Sequence, residues 1–291
     1  MRTTLLFIPG NHPAMLQNAD VFGADGLILD LEDAVAATEK DAARILVGEY
    51  LKSWKLETPE LLVRVNGLPS GWLESDLEAI ACDRLSAIVY PKAGVEELYE
   101  VDRILSEIEK KHRLSHPIGI IPIIESAQGV VETDDISYLP RLKGMLLGGE
   151  DLTADMEIGR TREGAELAYP RARLAFACKA AGIDAIDTPF ADVHDTEGLL
   201  ADARTARSLG FTGKAAIHPN QLLTIRTAFR PDPKDILWAR RVMAAAQDAA
   251  KKHQGAFSLD GKMIDKPVVK RAEGILSRAG IQDGAIPHET K

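Results

Sequence analysis

Apolar residues along this chain fall into short runs of four to eight, separated by longer stretches with helical spacing. Eight runs are recognisable: TTLLFIPG (3–10), GLILDLED (26–33), ELLVRVNG (60–67), SAIVYPKA (86–93), IGIIPIIES (118–126), LKGMLLGGED (142–151), IDAIDTPF (183–190) and GKAAIHPN (213–220). Most have a continuous rather than alternating apolar core, as a strand buried on both faces requires. Between them, EKDAARILVGEYLKS (39–53), VEELYEVDRILSEIEKK (95–111) and GAELAYPRARLAFACKAAG (164–182) carry an amphipathic helical pattern, with Pro170 near the start of the third or kinking it.

Strand and helix alternating eight times predict an α/β fold, a (β/α)8 TIM barrel. The competing arrangement is a doubly wound sheet, but no G-x-G-x-x-G follows the first run, where a dinucleotide fold would place its phosphate loop. Helical spacing over 236–253 reads as the closing helix, so the barrel is expected to occupy 1–253. Residues 254–291 form a C-terminal extension: a turn rich in carboxylates in GAFSLDGKMIDKP (255–267), then a helix over 268–280.

Bulk properties narrow the function. With 35 Lys and Arg against 44 Asp and Glu, the net charge is −9, and no basic stripe suits nucleic acid or a membrane surface. The two cysteines, Cys82 and Cys178, are far apart and in no metal-like spacing, which fits a reducing cytoplasmic setting. The first apolar run breaks at Pro9-Gly10, too soon for a signal peptide or a transmembrane helix.

In a barrel the chemistry gathers at the C-terminal ends of the strands. Those ends supply Asp30, Glu32, Asp33, Arg64, Asn66, Lys92, Glu125, Glu150, Asp151, Asp187, His218 and Asn220. Many carboxylates with few His and no Cys suit a hard cation, Mg2+ or Mn2+. Glu125 and Asp151 end successive runs and are expected as neighbours about one strand spacing, roughly 5 Å, apart. Carboxylates that close repel unless a positive group lies between them.

That group can be a divalent ion, with Glu125 and Asp151 as its ligands, or a basic neighbour such as Arg64 or Lys92 in a structural ion-pair network; residue types leave both open. Arg64 suits a substrate carboxylate or enolate oxygen, because its fork is planar and permanently charged. Glu32 and Asp33 are expected to orient Arg64 or hold metal-bound water, with Lys92 beside them. His218 before Pro219 can be a general base or a loop-fixing group. Asn11 and His12 stand where a helix N-terminus could meet a phosphate.

The motifs LLFIPGN, LDLEDAV, VRVNG, YPKA, IIPIIES, GGEDLTADM, KAAIHPNQ and GKMID, in order over residues 4 to 280, resemble the citrate lyase β-subunit-like branch of the HpcH/HpaI aldolase superfamily, with its malyl-CoA and citramalyl-CoA lyases. The resemblance implies a TIM barrel assembled as a homotrimer or hexamer, acting on CoA thioesters with Mg2+ or Mn2+. It implies Glu125 and Asp151 as metal ligands, Glu125 and Arg64 at the substrate, and Arg64 and Asp265 as catalytic groups. Asp265 would come from the tail to a neighbouring subunit's site. Many members carry a basic residue after the Pro-Gly turn where this chain has GNHPAML. CoA binding is therefore expected from Pro9, Gly10 and Asn11.

The implied activity is lysis of a 3-hydroxyacid CoA thioester of the citryl, malyl or citramalyl type to an acyl-CoA and a 2-oxo acid. A thioester hydrolase or a malate-synthase-like condensing enzyme could use the same metal site, and a non-catalytic acyl-CoA-binding subunit is a further alternative.

Overall fold

All eight apolar runs form parallel strands: β1 (Thr4–Pro9), β2 (Gly26–Asp30), β3 (Glu60–Arg64), β4 (Ala87–Tyr90), β5 (Gly119–Ile124), β6 (Gly144–Leu147), β7 (Asp184–Asp187) and β8 (Gly213–Ala216). In this computed structural model, which describes residues 2–251 and 256–281, they pair in sequence order and close β8 onto β1, with Leu5 opposite Ala215. The barrel interior is filled by Leu5, Ile28, Leu62, Val89, Ile121, Ile123, Leu146 and Ile186. Their neighbours along each strand, such as Leu6, Leu29, Val63 and Ile88, face the helical layer. Two buried faces explain why the runs are continuously apolar.

The helices are α1 (Pro13–Gln17), α2 (Lys40–Ser53), α3 (Leu73–Ile80), α4 (Val95–His112), α5 (Ala127–Ser137), α6 (Gly149–Asp155), α7 (Ala168–Ala181), α8 (Thr196–Leu209) and α9 (Gln221–Phe229). Pro170 lies in the first turn of α7, where its missing N–H costs nothing. Gly182 and Gly210, with φ of 73° and 107°, turn the chain out of α7 and α8 toward the next strand. A side chain there would be strained.

The chain divides into two compact units, Met1–Phe229 and Arg230–Lys291. The boundary expected after 253 falls outside the described residues. The helix read from the sequence as closing the barrel, α10 (Pro233–Lys251), belongs to the second unit. There its Ala239, Val242 and Met243 pack with Ile264, Ala272, Ile275 and Leu276. The expected turn is a hairpin of β9 (Phe257–Leu259) and β10 (Lys262–Ile264). Asp260-Gly261 joins the strands, both residues at positive φ, as a tight hairpin turn demands. Asp265 then opens α11 (Lys266–Arg278) and accepts a 3.3 Å hydrogen bond from the Val268 N–H. Among the described residues no helix is long and apolar enough to cross a membrane.

Candidate active site

Parallel register brings Pro9, Asp30 and Arg64 side by side at the C-terminal edge of the barrel. Arg64 grips Asp30 with both arms, Nε to Oδ1 at 2.7 Å and Nη2 to Oδ2 at 2.6 Å. Its Nη1 lies 2.9 Å from Glu32 and 3.6 Å from Asp33, and its guanidinium stands 5.2 Å over the Phe7 ring. Burial opposes the charge on Arg64, but these carboxylates outweigh it and the pKa is raised. The expected link from Glu32 and Asp33 to Arg64 is thus present.

Asp30 makes the stronger contact, a role that its position at a strand end does not by itself reveal. Its carboxylate also accepts the N–H groups of Glu32 at 2.9 Å and Ala34 at 3.1 Å, shaping the loop after β2. The buried Lys40 ammonium tightens the same loop by donating to the carbonyls of Leu31 at 2.7 Å and Glu32 at 2.6 Å. Asn66 also donates to the Leu31 carbonyl, at 3.0 Å.

Glu125 follows β5 directly and precedes Ser126, whose hydroxyl accepts the Gly129 N–H at 3.0 Å and caps α5. The side chain is 5% exposed, and its Oε1 accepts the Lys92 N–H at 2.7 Å. Lys92 therefore acts through its backbone, at φ 47°, while its side chain is exposed. Gly148 lies beside Glu125, where an added Cβ would come within 2.5 Å of the Glu125 Cβ. That space is kept for the carboxylate.

Asp151 does not end a strand as the sequence suggested. Strand β6 stops at Leu147, and Gly148-Gly149 turns into α6, whose first turn carries Glu150 and Asp151. Asp155 at the far end of α6 accepts the Ala127 N–H at 2.7 Å, tying α6 to the start of α5. Glu150 is paired with Arg160 at 2.9 Å. Asp151 has no ion pair or hydrogen bond among the described residues.

Arg64, Glu125, Gly148, Asp151, Thr188, Pro189 and Ile217 line a cavity of about 170 Å³. At about 30 Å³ per liquid water, this is room for a small acid with a few waters. A wider opening shares Arg64, Pro189 and Ile217 and adds Phe7, Pro9, Asp30 and Asp33. Gly10 donates its N–H to the Asp30 carbonyl at 2.8 Å, and the Asn11 amide turns to Glu39. Of the three residues expected at CoA, Pro9 is thus the one that lines these cavities.

Two further strand-end groups do not line the cavity. Asp187 is fully buried between Arg171 of α7 and Lys214 of β8, on the face of the sheet that meets the helices. His218 is exposed, and its Nδ1 accepts the Asn220 N–H at 3.2 Å. It fixes its own loop.

The electrostatics of the remaining carboxylates decide what the cavity can hold. Burial, with the nearby charges of Asp151 and Glu32, pushes the Glu125 carboxyl up to about 8, despite the Lys92 N–H and Arg64. Burial and the charges of Asp33 and Asp30 push Glu32 up to about 7, against the pull of Arg64. Glu125 Oε2 has no hydrogen-bond partner among the described residues, and Arg64 is committed to Asp30 and Glu32. A hard cation fits this donor set. Among the described residues no three His, Cys, Asp or Glu gather as ligands, so the ion would take two carboxylates and fill its shell with water and substrate oxygens.

A pH dependence follows. The unfolded chain releases these protons near the ordinary Glu value of about 4.3. The fold releases them near 8 and 7. Between those limits the folded state binds more protons, so stability falls as pH rises, and the loss is complete above the higher folded value. Differential scanning fluorimetry of the metal-free protein should show this decline. A divalent cation should raise the melting temperature more at about pH 8.5 than at about pH 5.5. An equal shift at both would show that the cation does not bind here.

A closed parallel barrel with carboxylates suited to a hard cation and a guanidinium at its C-terminal mouth has the architecture of a TIM-barrel enzyme. The chain belongs to the HpcH/HpaI aldolase/citrate lyase family, whose model matches residues 3–219. It is 38% identical over 284 residues to the citrate lyase subunit beta of Leuconostoc mesenteroides, covering 96% of this chain and 93% of that protein. It is 33% identical over 290 residues to the mitochondrial citramalyl-CoA lyase of Rattus norvegicus, covering 96% and 86%. The crystal structure of the protein CitE from Mycobacterium tuberculosis in complex with magnesium, acetoacetate and coenzyme A has a TM-score of 0.79 and 33% identity, covering 96% of this chain and 98% of that one.

Proposed function

We propose that this protein is a Mg2+-dependent carbon–carbon lyase that cleaves a 3-hydroxyacid CoA thioester of the citryl, malyl or citramalyl type to an acyl-CoA and a 2-oxo acid. The observation that carries the reading is the convergence of Glu125 and Asp151, neither in an ion pair among the described residues, on a cavity bordered by Arg64. Lyase relatives and the magnesium and coenzyme A complex of CitE support it.

Glu125 and Asp151 would hold the ion, for which Mn2+ is a substitute. The bound ion would supply Lewis acidity and a template for the substrate's carboxylate and hydroxyl oxygens. As the C2–C3 bond breaks, the hydroxyl oxygen becomes the carbonyl of the 2-oxo acid, its proton passing to a carboxylate at the mouth. The bonding pair moves onto the acyl-CoA fragment as an enolate. Arg64, held rigid by Asp30 and Glu32, faces the developing oxyanion. Asp265 carries a proton to the enolate carbon, and removes it in the reverse direction.

The same reading makes the protein a cytoplasmic homo-oligomer, a trimer or hexamer, in which the C-terminal unit brings Asp265 to a neighbouring subunit's site. CoA would lie along the wider opening at Pro9, its phosphates met by the backbone around Gly10 and Asn11.

The test is incubation with citryl-, malyl- and citramalyl-CoA and Mg2+, following 2-oxo acid and free thiol separately. Oxo acid without thiol is the expected result with at least one of the three. Thiol without oxo acid would replace the lyase by a hydrolase.

A further inference from the structure

Between β7 and β8 on one side and α7 and α8 on the other lies a buried quartet of charges that the proposed reaction does not use. Lys214 Nζ donates to Asp187 Oδ2 at 2.5 Å, to Asp202 Oδ2 at 2.5 Å and to the Thr188 carbonyl at 2.6 Å. Arg171 closes the square, donating to Asp187 at 2.9 and 3.0 Å and to Asp202 at 2.6 Å. Two cations and two anions cancel, and all three ammonium protons of Lys214 are used. Such a network is rigid because leaving any member unpaired in the interior is costly.

Thr188 is where this rigid base meets the site. Its carbonyl is held by Lys214, the buried residue borders the cavity, and its hydroxyl accepts the Gly149 N–H at 2.9 Å. Gly149 is the first residue of α6, and its N–H is one of the first-turn groups that a helix cannot satisfy itself. The fit is close on both sides, since a Cβ at Gly149 would lie 3.0 Å from both Thr188 Oγ1 and Leu167 Cδ1. Asp151 stands two residues further along the same turn.

We propose that Thr188 is a positioning residue: through the Gly149 N–H it sets the turn that presents Asp151, with the quartet of Arg171, Asp187, Asp202 and Lys214 as its fixed base. This rests on Asp151 being a metal ligand, as proposed above. Groups that orient a ligand in this way typically change metal affinity by about 10- to 100-fold when lost.

The experiment is titration of the full-length protein with Mn2+, counting free ion by electron paramagnetic resonance, in wild type, Thr188→Val, Thr188→Ala, Thr188→Ser and Asp151→Asn, each checked for native near-ultraviolet circular dichroism. The hydroxyl-free variants should bind Mn2+ about 10- to 100-fold more weakly, and Thr188→Ser should bind like wild type. Two hydroxyl-free variants are included so that one misfolded protein does not decide the matter. Wild-type affinity in a folded hydroxyl-free variant, or a Thr188→Ser as weak as Thr188→Val, would overturn the positioning role. If Asp151→Asn itself keeps full affinity, the metal reading falls and takes this inference with it. Weak binding by Asp151→Asn beside undiminished binding by Thr188→Val overturns the role of Thr188 alone.

Discussion

Glu125→Gln is expected to bind Mg2+ at least about 100-fold more weakly than wild type and to lose measurable lyase turnover. The substitution removes one of two anionic ligands while keeping the shape that Gly148 accommodates. The amide oxygen can still accept the Lys92 N–H, so the turn after β4 keeps its anchor. Stability should move the other way. Burial and the charges of Asp151 and Glu32 hold the Glu125 carboxyl near 8, so above that pH the wild-type fold carries a charge it disfavours, and Gln does not. The metal-free variant should therefore melt no lower than metal-free wild type at about pH 8.5, while losing the melting shift that Mg2+ gives to wild type. Calorimetry gives the affinity and fluorimetry the melting curves. Undiminished Mg2+ affinity would remove Glu125 from the site.

Asp265→Asn should lower kcat by about 100- to 10,000-fold, the range for loss of a general acid or base, with Mg2+ affinity unchanged. Asn is the informative replacement because Asp265 also caps α11 through the Val268 N–H. Asn caps a helix as well as Asp, whereas Ala would add a stability loss of about 1 kcal/mol. Loss of turnover in Asp265→Asn with an unaltered melting curve thus isolates proton transfer from capping. Co-expression with Glu125→Gln tests where the aspartate works. If the tail serves a neighbouring subunit, mixed oligomers of two inactive chains contain complete sites and regain part of the activity. Full turnover by Asp265→Asn alone would end its role as proton carrier.

Much of the mouth was legible because a parallel barrel converts one-dimensional position into one face. Glu125 closes the run IGIIPIIES and Arg64 closes ELLVR, so both had to reach the same rim. The spacing puts Asp151 at a strand end, whereas it stands in the first turn of α6 and lines the cavity from there. Gly148 and Gly149 read as the end of an apolar run, whereas they are the turn into α6. The role of Asp30 is not legible along the chain, because nothing in LDLED shows that one of its three carboxylates takes both arms of Arg64. Thr188 carried no sequence signal: a lone Thr after a strand gains meaning only when Gly149 and Lys214 come within reach. In the tail, Asp260-Gly261 between SL and KM was the available hairpin signal, read from the sequence only as a turn.

The sequence by itself determined the barrel, its strand order and the identity of most rim residues, because burial of both sheet faces dictates continuous apolar runs and their ends define the mouth. Only the tertiary structure decided which carboxylates keep a cation. Asp30 lies beside Arg64, and Asp187 lies between Arg171 and Lys214, while Glu125 and Asp151 face the cavity with no ion pair of their own among the described residues. Ion pairing depends on distances across the barrel between residues tens of positions apart, and falls off within a few ångströms. Spacing along the chain does not contain those distances, and the fold does.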